Sequence, residues 1–192
     1  MLALAGCAGS APPAHVPWAT PTVTHTSSPD HKPSVGPDPL PADLLARIPR
    51  FPAAPIAEPV TLPSGPVAGW FTSIPTTQPV AFLTIDDGIF KDPQAAALLR
   101  AAHIPVTLFL DIDAIRDDPG YFSKLQDAGA TIEAHTITHQ NLRGKPYGVQ
   151  HVEVCGSADQ LAALYGRRPV LFRPPYGDKD STTLQVVYDC GM

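Results

Sequence analysis

The chain has 192 residues, 24 of them proline, with a formal net charge of -5 and 44% hydrophobic residues. The acidic balance gives no support for a basic nucleic-acid surface, and the apolar content suffices for one globular core. Seventeen prolines and only seven charged side chains precede residue 80, so the composition divides the chain in two.

The chain opens MLALAGCAGS. Leu4-Ala5-Gly6-Cys7 resembles a bacterial lipobox, in which a signal peptidase cuts before the cysteine and the cysteine thiol carries a diacylglycerol. Residues 1–7 are therefore expected to be the remnant of a lipoprotein signal, with Cys7 as a lipid anchor on an exported, membrane-tethered or secreted protein. The segment before Cys7 is shorter than a full signal peptide and lacks its basic start. No other segment is long enough to span a bilayer. Residues 8–66 read as a linker rich in Pro, Ser and Thr. Each proline there fixes φ and removes an amide donor, so PTVTHTSSPDHKPSVGPDPLP sustains neither a helix nor a central strand. Only LPADLLARI (40–48) suits a short helical turn.

Residues 67–192 form the expected globular domain. VAFLTI (80–85) is an apolar run that reads as a buried strand. DPQAAALLRAAHI follows, with Asp92 as helix N-cap, Pro93 at the first helical position and apolar residues at helical spacing. PVTLFLDI (105–112) is a second strand. DPGYFSKLQDAGA repeats the Asp-Pro helix start at Asp118 and Pro119, and Gly129 is a fitting stop. ATIEAH (130–135) is a third strand, 149–165 a helix ending at Gly166, and PVLFR (169–173) a fourth strand. Asp180 then caps a helix that runs to Cys190. If Cys7 is acylated, Cys155 and Cys190 remain. Export would allow them to pair, and two separate buried thiols fit their spacing equally well.

Strands and helices in strict alternation imply an α/β fold with a parallel sheet and helices outside it. Ligands of such folds bind at the carboxyl ends of the strands. Three polar clusters sit there: Asp86-Asp87, His135 with His139, and Arg173. Taken singly, DDG is turn chemistry, HTITH a surface or capping pair, and RPPYG a rigid loop. Their convergence on one rim is better explained by a metal. One carboxylate and two imidazoles suit zinc or a similar divalent ion. The same cation explains why two aspartates are adjacent: Asp87 turns onto it, and Asp86 stays ionised as a general base for a water that the cation acidifies.

TIDDG (84–88), HTITH (135–139) and RPPYG (173–177), in this order, resemble the first three motifs of the NodB-type polysaccharide deacetylases, carbohydrate esterase family 4. The resemblance covers about residues 67–192. It implies a distorted (β/α) barrel, here partial, and metal-dependent removal of acetyl groups from N-acetylated, peptidoglycan- or chitin-like polysaccharide. It makes Asp86 the catalytic base and Asp87, His135 and His139 the ligands of a divalent metal, zinc first, with cobalt, nickel or manganese as substitutes. Arg173 would orient and charge-balance Asp86, and the Tyr176 amide would donate to the oxyanion from a loop stiffened by Pro174 and Pro175.

Ile85 stands where the family commonly has Phe. The chain ends one helix after RPPYG, without the family's later aspartate-tryptophan and leucine-histidine motifs, the second of which carries the acid for the leaving amine. The expectation is a C-terminally incomplete domain with an uncovered sheet edge. His103 and His151 fit no motif, and His103 reads as a helix-end residue. An O-acetyl esterase would use the same residues. A glycan-binding lipoprotein without turnover is the reading if the chain is complete as it stands.

Overall fold

The computed structural model describes residues 40–49, 55, 56, 59, 61 and 63–192. Cys7, the lipobox and most of the expected linker lie outside them. Three strands, β1 (Leu83–Asp87), β2 (Val106–Leu110) and β3 (Ala130–Ala134), form a parallel sheet in the order β1-β2-β3. A short helix α1 (Ala42–Arg47) precedes it, with no buried residue. Helix α2 (Ala95–Ala102) connects β1 to β2, and α3 (Ile112–Ile115) with α4 (Pro119–Asp127) connects β2 to β3. Helices α5 (Tyr147–Tyr165) and α6 (Ser181–Asp189) follow. Among the described residues no helix is long and apolar enough to cross a membrane.

The register aligns Asp87 with Leu110 and Leu110 with Ala134, so the three strands end in one row. His135 continues that row, its amide donating to the Leu110 carbonyl at 3.1 Å. Residues far apart in sequence are thus delivered to one rim by strands of equal length.

Local chemistry sets most helix ends. The Asp118 carboxylate accepts from the Tyr121 amide, with Pro119 at the first helical position of α4. Asp180 and Thr183 form a reciprocal capping box at α6. Gly166 closes α5 in the left-handed conformation at φ 73°. Two apolar clusters hold the layers. The larger packs Val106, Leu108, Leu110 and Ile132 against Phe122 and Leu125 of α4 and Leu161 of α5. The smaller joins α5 to α6 through Val154, Val186 and Val187, and Cys155 there is disulfide-bonded to Cys190. Closing a separation of 35 residues stabilises the fold by about 3–4 kcal/mol on chain-entropy grounds.

The structure departs from the sequence pattern in four places. Helix α2 starts at Ala95 rather than Pro93, because Asp92 closes a turn first, its Oδ1 accepting from the Gln94 amide at 2.8 Å. β2 stops at Leu110, since Asp111 caps the short α3 instead of extending the strand. β1 is an edge strand, with Leu83 and Ile85 about half exposed. An apolar run is buried only where something covers it, and among the described residues β1 pairs with β2 alone. Finally, the segment 169–173 makes a single parallel bridge, Phe172 to Ala134, in place of a fourth strand. Glu133 explains this. Its buried carboxylate accepts from the Val170 and Leu171 amides, both at 2.8 Å, so a side chain takes the Leu171 donor that a ladder to β3 would have used.

Candidate metal centre and active site

β-strand alternation sends neighbouring side chains to opposite faces, and Asp86 and Asp87 do part company. Asp86 Oδ1 accepts from Arg173 Nη1 at 2.5 Å. The same Nη1 donates to Thr84 Oγ1 at 3.0 Å, and the guanidinium lies 4.1 Å from the Phe109 ring centroid. Thr84 and Phe109 thus hold Arg173 from below while it holds Asp86. Both members of the ion pair are more than a third exposed, so the pair orients more than it stabilises.

Asp87 turns the other way, at φ 70°. Its Oδ1 lies 3.2 Å from His135 Nε2 and 3.2 Å from His139 Nε2. The three ligand atoms fall within 4.8 Å of one another. Gly88 follows at φ 94°, and a Cβ there would come within 2.7 Å of Ile115 and 2.9 Å of Phe122. The turn that aims Asp87 therefore demands glycine.

His135 is nearly inaccessible, and burial pushes its pKa below the usual imidazole value. Its Nδ1 lies 2.6 Å from the Arg173 carbonyl, an acceptor only, so the proton sits on Nδ1 and Nε2 presents a lone pair. That lone pair faces a carboxylate oxygen, which is a second acceptor. Two acceptors aimed at each other lack a donor between them, and a cation supplies what is missing. The donor set, one carboxylate and two imidazoles, fits a divalent metal with positions left open.

The HTITH loop is strained and held from outside. Five non-glycine residues among those described have positive φ, and four of them, Asp87, Thr136, His139 and Tyr176, lie in the three motifs. For β-branched Thr136, at φ 79°, the conformation is costly, about 1–3 kcal/mol. Glu153 of α5 compensates. Its Oε2 accepts from the Ile137 and Thr138 amides at 2.9 and 3.0 Å, and its Oε1 from Thr138 Oγ1 and Gln140 Nε2 at 2.9 and 2.7 Å. The Asp113 amide donates to the Ile137 carbonyl at 2.9 Å, and the His139 amide to Thr136 Oγ1 at 3.0 Å.

Tyr176 is exposed, its ring 5.1 Å from that of His139, and no acceptor among the described residues takes its amide. Pro174 and Pro175 lead into it, and Asp178 ties the loop to Asn141 and Arg143. The structure thus gathers all six sequence-predicted residues at one rim: Asp86, Asp87, His135, His139, Arg173 and Tyr176. His103 caps α2, and His151 stands beside the disulfide. Sequence reasoning missed Glu153, Thr84 and Phe109. Nothing local singled out Glu153, since its helix-face neighbours three and four residues away, Val149, Gln150, Gly156 and Ser157, are mixed in polarity.

The sequence model of the polysaccharide deacetylase family matches residues 73–192. A protein of Streptomyces coelicolor, uncharacterized protein SCO4760, is 43% identical over 117 residues, which are 61% of this chain and 47% of that protein. The chain thus spans about half the length of the curated relative it matches. A family 4 carbohydrate esterase from Streptomyces lividans, solved with acetate, superposes with a TM-score of 0.54 at 27% identity, over 58% of each chain. The fold is also shared with BA3943 of Bacillus anthracis, a family 4 pseudoenzyme: TM-score 0.54, 19% identity, 58% of this chain and 40% of that one. With its parallel sheet, its three motifs and this match over most of the described domain, the chain belongs to the polysaccharide deacetylase family, of the NodB, family 4 carbohydrate esterase type.

Proposed function

We propose that the protein removes acetyl groups from an N-acetylated polysaccharide, with Asp87, His135 and His139 holding a divalent ion, zinc by preference. The observation that carries this reading is the pair of unlike aspartates: one faces two imidazoles, and its neighbour faces an arginine. The ion would supply Lewis-acid polarisation of the acetyl carbonyl and acidification of water. Asp86, aimed by Arg173, accepts the proton of the attacking water. The Tyr176 amide donates to the oxyanion that develops on the carbonyl, and its prolines fix it there before substrate arrives. Exposed Tyr176 and the open rim suit a polymer. Acetate and a free amino sugar leave. Tethering through an acylated Cys7, supported by the lipobox-like start, would set the enzyme at the cell surface, and the intact mass of the native protein tests that tether.

Acetate release from N-acetylated and O-acetylated glycans, before and after chelation, tests the reaction. Release from the N-acetyl substrate that chelation stops and zinc restores is expected. Release only from the O-acetyl substrate would make the protein an esterase. Binding of glycan with no acetate released from either substrate would overturn the reading.

A further inference from the structure

His151 and Cys155 are one helical turn apart on α5, on the same face. Cys190, the C-cap of α6, faces them, and an imidazole nitrogen and the two Sγ atoms all lie within 4.8 Å of one another. Cys155 and Cys190 are buried, at 8% and 6% exposure, whereas His151 is exposed, so the trio has a buried floor and an open mouth. In the disulfide-bonded state the sulfurs bind each other and offer no thiolate. We propose that, once reduced, Cys155, Cys190 and His151 form a second metal site, distinct from the Asp87 set and specific for a thiophilic divalent cation such as zinc.

The chemistry balances. A dithiol reductant gives two electrons and two protons to the disulfide and is itself oxidised to a disulfide. One divalent cation then binds both sulfurs, releasing the two thiol protons to solvent. Two thiolates and an imidazole leave a fourth position for water, and soft sulfur ligands select zinc or cobalt over magnesium or calcium. The metal joins the same two residues as the disulfide does, so α5 stays cross-linked to α6 in either redox state. The proposal stands independently of the deacetylase reading, because it uses no residue of that site.

Cobalt(II) is the probe. The full-length chain, reduced with a dithiol and desalted without oxygen, is expected to bind two equivalents, one of them showing the sulfur-to-cobalt charge-transfer absorption. The oxidised chain is expected to bind one, without that absorption. In the D87A/H139A variant the reduced protein keeps only the thiolate-bound equivalent, and adding H151A weakens it by at least about tenfold. Should that variant fail to fold, the difference between reduced and oxidised wild type reads the same site. Equal stoichiometry in both redox states with no thiolate absorption would overturn the proposal. So would cobalt binding that H151A leaves unchanged.

Discussion

Replacing Glu153 by alanine tests how the metal-ligand loop is held. The carboxylate is 5% exposed and accepts four hydrogen bonds from residues 137–140. Thr138 Oγ1 and Gln140 Nε2 belong to side chains that can turn to water, but the Ile137 and Thr138 amides cannot leave the loop. A buried donor left without an acceptor costs about 1–3 kcal/mol; Ile137 is only partly buried and Thr138 is exposed, so E153A should lose about 1–3 kcal/mol of stability in urea denaturation. The damage should reach the metal as well, because the positive φ of Thr136 and His139 persists only while the surroundings enforce it. A fall of about 10–100-fold in zinc affinity by calorimetry is expected. E153Q separates charge from shape: its amide oxygen can serve both backbone amides while its NH2 faces Thr138 Oγ1, at a cost of about 1–2 kcal/mol. If E153A bound zinc as tightly as wild type, the claim that α5 positions the histidines would be wrong.

Glu133 anchors the segment that carries Arg173, so E133A should destabilise by about 3–5 kcal/mol and lower any acetate release; unchanged urea midpoints would contradict this. Asp111 is buried with its Oδ2 unpaired, and burial raises its pKa to about 6. The folded metal-free protein therefore holds that proton more tightly than the unfolded chain does, and stability falls as pH rises from about 4 to about 6. D111N keeps the cap on Ala114 and should be more stable than wild type by up to about 3 kcal/mol at pH 7 and by nothing at pH 3.5. A pH-independent difference would refute this. Asp180 behaves oppositely. The Gly144 amide, then the Thr183 amide, lower its pKa to about 2, so its contribution is complete above about pH 4 and disappears as pH falls to about 2. After solvent screening the loss is about 1 kcal/mol, and acid denaturation of D180N should lack it.

The strand and helix order was legible because each element carries its own punctuation: Asp118-Pro119, Gly129, Gly166 and Asp180 act within a turn of themselves. The motif residues were legible because strands of equal length end on one rim, wherever they lie in sequence. What stayed hidden depends on contacts across the fold. Nothing local to Glu133 says that it will take the amides of 170 and 171 and leave a bridge where PVLFR reads as a strand. Glu153 reaches the HTITH loop only once α5 packs beside it. The exposure of β1 is a property of what covers the strand, and alternation within VAFLTI carries no information about that. The Cys155–Cys190 bond was equally open, since 35 residues of separation fix no geometry until α5 and α6 meet.

Anomalous X-ray diffraction at the zinc edge from crystals of the zinc-loaded protein tests the centre most directly. A peak at about 2.0–2.2 Å from Asp87 Oδ1, His135 Nε2 and His139 Nε2 is expected. Zinc absent from that position at saturating concentration, with the three side chains ordered around it, would contradict the account.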